Sequence, residues 1–154
     1  MSDWKRKTKE VTLDGLSPEM ASAIQRHIEQ YNLGPILADA LMCVQTDSEK
    51  TKKGLFSKTE TVQMTIAVTP RWLVWSVDQP NTKAVVLSAQ LIHVTVQEYA
   101  QTPFAKLVAD SGMEVSGMFT GASESVSAFI GLEENAAGQK FRQILIKAAA
   151  DAKK

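Results

Sequence analysis

The chain has 154 residues, 17 Lys+Arg against 17 Asp+Glu, and 44% apolar residues. That length fits one domain, long enough to bury a core without covalent staples. The balanced charge excludes a global field that would steer nucleic acid or a membrane. Cys43 is the only cysteine, which excludes an intrachain disulfide and a structural zinc site built on cysteine pairs.

Residues 1–15 are polar and mixed, with Lys5, Arg6, Lys7 and Lys9 beside Trp4. They read as a flexible N-terminus, because termini fray unless something ties them down. They lack the apolar run of a signal peptide. No stretch of the chain approaches the ~18–20 apolar residues of a membrane span. The expectation is a cytoplasmic protein, with residues 16–154 as a single domain.

The first predicted element is a helix over 17–33. Ser17 can cap it and Pro18 suits its first position. Met20, Ile24, Ile28 and Tyr31 recur at helical spacing, and Gly34 with Pro35 stops the run. From about residue 37 the period changes to two. "ALMCVQTDSEK" starts apolar and turns polar, as a strand leaving a core would. Gly54 marks a turn. In "TVQMTIAVT", Val62, Met64, Ile66 and Val68 share one face. "WLVWSVD" follows after Pro70 and Arg71, and Trp72 and Trp75 point to opposite faces. One belongs to the core, and the N-terminal helix is expected to cover the other. "KAVVLSA", "LIHVTVQEY", "MEVSGMF" and "ESVSAFIGL" read as further strands, and "AQTPFAKLVADSG" as a connection. A closing helix over 134–152 places Phe141, Ile144, Leu145 and Ala148 on one face. About seven short strands between two helices predict an α+β domain on a small antiparallel barrel or sandwich.

Few residues point to chemistry. "GASES" around Ser123 and Ser125 lacks the second glycine of a nucleophile elbow. Cys43 sits in an apolar strand and reads as a small core residue. His27 and His93 have no Cys, His or carboxylate at ligand spacing, so both are expected at the surface or as caps. No catalytic residue, metal or cofactor is expected.

"VQMTIAVTPRWLVWSVD" resembles the second and third strands of bacterial pleckstrin-homology-like domains, with Thr69, Arg71 and Leu73 in comparable places. "VVLSAQLIHVTVQ" resembles the next strand pair, and the closing helix resembles the helix that caps one end of that barrel. The resemblance spans residues 37–152, and the N-terminal helix is an addition to it. The main competing fold is a cone-shaped α+β domain with the helix packed inside a curved sheet. The resemblance implies that "EKTKKGLFSKTE" is the turn between the family's first two strands, where lipid-binding members carry basic residues. Lys50, Lys52, Lys53 and Lys58 match that placement, flanking Leu55 and Phe56. The basic pair expected late in the family's second strand is missing from "TVQMTIAV".

The expected function is non-enzymatic binding, by association with a partner protein or a second copy. Ile146, Ala149 and Ala150, which widen the apolar stripe of the closing helix, are the expected surface. One alternative is contact with an anionic membrane through Lys50, Lys52, Lys53, Leu55, Phe56 and Lys58. Another is an apolar small ligand held in the cone-shaped fold. Nucleic acid is not an expected partner.

Overall fold

The computed structural model describes residues 4–51 and 59–154. In chain order they form β1 (Trp4–Val11), α1 (Pro18–Gln30), β2 (Met42–Thr51), β3 (Thr59–Val68), β4 (Trp72–Asp78) and β5 (Val85–Gln90). There follow β6 (Val94–Glu98), β7 (Gly112–Gly117), β8 (Val126–Gly131) and α2 (Ala136–Ala152). All pairings are antiparallel. Five strands make one sheet in the order β1-β2-β3-β4-β5, and three make another in the order β6-β7-β8. Among the described residues the two sheets stay separate and do not close into a barrel.

The strands follow from residue alternation. Met64, Ile66 and Val68 of β3 point into the core, and Val62 packs against it. Register follows the same parity: Ile66 lies opposite Val44 on β2 and Trp75 on β4. The β3–β4 turn is held by Thr69, whose Oγ1 accepts from Arg71 N and Trp72 N at 3.1 and 2.8 Å. The second sheet adds Met113, Val115 and Ile130 to the same core, and α2 closes it with Phe141, Leu145, Ala148 and Ala149. Trp75 meets Phe119 edge-on at 5.1 Å, a favoured aromatic geometry.

A second, smaller cluster lies on the outer face of the large sheet. There Met20 and Ile24 of α1 pack with Ile36 and Val74, and half-buried Trp72 leans on them. The expected division of Trp72 and Trp75 between two faces is observed, with α1 as the cover. Because α1 sits outside the sheet, the cone-shaped arrangement with an internal helix is not the fold. Ser17 Oγ accepts from Met20 N. Beyond Gln30, Leu33 N donates to Ile28 O while Asn32 and Gly34 take positive φ. The helix therefore ends three residues before position 33, and residues 34–41 are turns rather than strand.

The largest difference from expectation is at the N-terminus. Trp4–Val11, expected to be flexible, is a full edge strand paired along its length with β2, from Trp4↔Lys50 to Val11↔Cys43. Lys5, Lys7 and Lys9 point to solvent, while Trp4, Arg6 and Thr8 point inward. Polar groups near the start of α2 cap the outer edge of this strand at Thr8. Thr8 N donates to Glu133 Oε1 at 3.0 Å, and Asn135 Nδ2 donates to Thr8 O at 2.8 Å. Glu133 N donates to Thr8 Oγ1 at 2.8 Å. Asn135 also caps α2, accepting from Gly138 N. Gly138 is required there: a Cβ would stand 1.8 Å from the Glu133 carbonyl oxygen.

Behind this contact lies Arg142, only 3% exposed. Its Nη1 donates to Glu133 O, and its Nη2 to Leu132 O and Ser111 Oγ, at 2.8–3.0 Å. Its Nε reaches Glu98 Oε2 at 3.3 Å. Nearby, Arg6 grips Asp110 through Nε and Nη2 at 2.8 and 2.6 Å and donates to Ser48 Oγ. One guanidinium thus satisfies carbonyls that no strand reaches. Arg142→Leu takes its donor from Glu133 O and leaves Leu132 O only its bond from Ser111 Oγ, and should cost about 3 kcal/mol. Glu98→Gln should cost about 1 kcal/mol or less, because Glu98 reaches solvent. Urea unfolding of both variants checks this; equal losses would mean that the ion pair, not the carbonyl bonds, matters.

Candidate functional site

Among the described residues no group of His, Cys, Asp and Glu could hold a metal ion, and no helix is long and apolar enough to cross a membrane. Cys43 is buried, and burial pushes its thiol up to about 12. The thiolate that would react or ligate is therefore scarce. His93 is exposed.

His27 differs from expectation. It is buried between α1 and β5, with Nε2 2.8 Å from Ser88 Oγ. Ser88 Oγ in turn donates to Thr120 Oγ1 at 2.7 Å. The serine's one proton is committed to Thr120, so His27 donates from Nε2 and is left with Nδ1 to accept a proton. Both Ser88 and His27 are buried, and the pair ties α1 and the β7–β8 connection to β5. Burial alone lowers the His27 pKa from 6.5. The unfolded imidazole then takes up a proton at a higher pH than the folded one. The resulting stability is complete above 6.5 and declines as pH falls below it. Urea midpoints at about pH 7.5 and about pH 5 should differ more in the wild type than in His27→Gln. An equal drop in both would remove His27 as the cause.

The expected surfaces divide. Lys52, Lys53, Leu55, Phe56 and Lys58 lie outside the described residues. Lys50 is on β2, its Nζ 5.8 Å from the centre of the Trp4 ring. On α2, Ile146 is 43% exposed and Ala150 is exposed, but Ala149 is buried in the main core. Ala149 therefore belongs to the packing of α2 and not to an outer face.

The helix that carries these exposed residues stands beside an open strand edge. Among the described residues β6 has a single hydrogen-bonded neighbour, β7. Met118 N donates to His93 O, while Lys153 Nζ donates to Val94 O from the other side. Main-chain groups alternate in direction along an antiparallel strand. The N–H and C=O of Val96 therefore point the same way as those of Val94, along the free edge. The helix is held parallel to that edge at two points, Arg142 to Glu98 and Lys153 to Val94. Arg142, Ile146 and Ala150 follow one another at intervals of four, a single row on the helix surface. Ile146 and Ala150 thus lie on the exposed side of the stretch of α2 between those two contacts.

Two further apolar surfaces went unread in the sequence. In the β6–β7 connection, Phe104, Leu107 and Val108 are 62%, 82% and 62% exposed. They sit at i, i+3 and i+4 of one helical turn, where Leu107 N and Val108 N both donate to Phe104 O. The turn is anchored: Tyr99 Oη donates to Val108 O at 2.6 Å, Tyr99 stacks edge-on against Phe129, and Arg6 holds Asp110. The spacing of "PFAKLV" carried the helical signal, but six residues inside a connection are too few for periodicity to be decisive. The other surface is an apolar groove of about 650 Å³ between α1 and residues 34–38, lined by Leu13, Leu16, Ala21, Ile28 and Leu37 among others.

No family model, curated protein or solved structure matches this chain.

Proposed function

We propose that the chain is a non-enzymatic binding module of pleckstrin-homology-like architecture that takes an extended protein segment against β6 and α2. The observation that carries this reading is the open Val96 edge, with the exposed Ile146 and Ala150 on the neighbouring helix. An unpaired strand edge is a template for another strand. An added strand gains main-chain hydrogen bonds, while neighbouring pockets select its side chains. The segment belongs to a partner protein or to a second copy.

The strand order supports the architecture. β2–β5 follow one another in one sheet, β6–β8 in the other, and α2 closes the core. Seven strands followed by a closing helix are what the sequence resemblance implies, with β1 and α1 as additions. The buried Ser88–His27 pair and the suppressed Cys43 thiol favour binding over chemistry. A single cysteine kept as a buried thiol suits the reducing cytoplasm. Contact with an anionic membrane through Lys50 and residues 52–58 is the second reading, and Lys50 is its only described residue.

Peptides selected from a displayed random library should bind as extended chains with alternating apolar residues. Ile146→Asp should weaken them about tenfold or more, and binding should protect the Val96 amide from exchange. Binders indifferent to Ile146→Asp that leave Val96 unprotected would overturn the reading.

A further inference from the structure

We infer that the exposed turn of Phe104, Leu107 and Val108 docks into the α1 groove of a second copy of this chain, in a head-to-tail contact. The inference goes beyond the strand-edge reading and uses neither Ile146 nor Val96.

The two surfaces are complementary in shape and chemistry. One is a convex apolar knob on a turn whose backbone is already tied down by Tyr99 and Asp110. Ordering it on binding costs little. The other is a concave apolar groove walled by Leu13, Leu16, Ile28 and Leu37. Charge agrees with this fit. Lys106 lies within the knob's turn, and Glu29 lines the groove, with exposed Asp14 and Asp39 next to lining residues Leu13 and Ala38. Arg6 already neutralises Asp110 at the base of the knob.

The knob cannot fill the groove of its own chain. It belongs to the small sheet and is anchored at Arg6, near the start of β1. The groove lies against α1, on the outer face of the large sheet, with Leu13 just beyond the end of β1. Five steps of extended strand separate Arg6 from Val11, roughly 17 Å, and the large sheet stands between the two sites. A knob and a groove on different faces of one chain give a heterologous contact, which propagates into a ring or an open chain of subunits rather than a closed two-fold dimer. A knob of three side chains buries less than a standard stable interface. Assembly should therefore appear only at high protein concentration.

Two surface variants test this without touching the core. Leu107→Asp removes the knob. Ala21→Arg places a bulky cation in the groove at an exposed helical position where arginine is a good helix former. Sedimentation velocity of the full chain should show the average mass of the wild type rising with concentration, while each variant alone remains a monomer. An equimolar mixture should form a one-to-one dimer and nothing larger, because only one intact knob and one intact groove remain. Ile146→Asp should leave wild-type assembly unchanged, so failure here is separable from failure of the strand-edge reading. A monomeric wild type at every concentration, or a mixture that stays monomeric, overturns the inference. So does a monomeric wild type that binds anionic vesicles through Leu107, which would assign the knob to a bilayer.

Discussion

Arg142 holds a full positive charge almost wholly out of water, and the two sheets depend on how that charge is satisfied. The apolar core shared by the sheets pulls them together but does not say where their edges stop. Hydrophobic burial is non-directional. Direction comes from the polar contacts of Arg142 with Leu132, Glu133, Ser111 and Glu98. They place the chain after β8 where Glu133 and Asn135 meet both main-chain groups of Thr8. A buried guanidinium carries a large desolvation cost, recovered only when its donors find acceptors in good geometry. Here its donors find two carbonyls, a hydroxyl and a carboxylate, and among the described residues no buried side-chain polar atom lacks a partner.

This arrangement treats the strand edges unequally. The edge of β1 is capped at Thr8 by side chains standing in for a strand. The edge of β5 is partly taken by Thr120, whose N–H donates to Ser88 O. Among the described residues, the edge of β6 is capped at Val94 by Lys153 and left open at Val96. Proteins normally blunt such edges. The proposed binding of an extended segment rests on this open edge and on the exposed Ile146 and Ala150 of the neighbouring helix. The knob at Phe104, Leu107 and Val108 follows the same logic. Exposed apolar residues occur singly on most surfaces, but these three share one face of an anchored turn.

The sequence was legible where a face is apolar. The alternation of Met64, Ile66 and Val68, the cap formed by Ser17 and Pro18, and the stripe of Phe141, Leu145 and Ala148 each predict an observed element. It was illegible where inward positions are polar. β1 alternates too, but after Trp4 its inward residues are Arg6 and Thr8, whose partners Asp110 and Glu133 lie more than a hundred residues away. Hydropathy cannot register such a strand. His27 was misplaced for the same reason, since Ser88 and Thr120 become its partners only through the fold. On α2, Ile146 and Ala150 face outward as the broad stripe suggested. Ala149 does not, because the stripe alone cannot say how much of its width the core takes.

The most direct test is native-state amide hydrogen exchange at Thr8 and Val96, both residues of outer strands. If side chains cap the β1 edge at Thr8 and leave the β6 edge open at Val96, the Thr8 amide exchanges only through cooperative unfolding, and the Val96 amide orders of magnitude faster. A Thr8 amide that exchanges as freely as Val96, or a Val96 amide as protected as Thr8, would contradict the account.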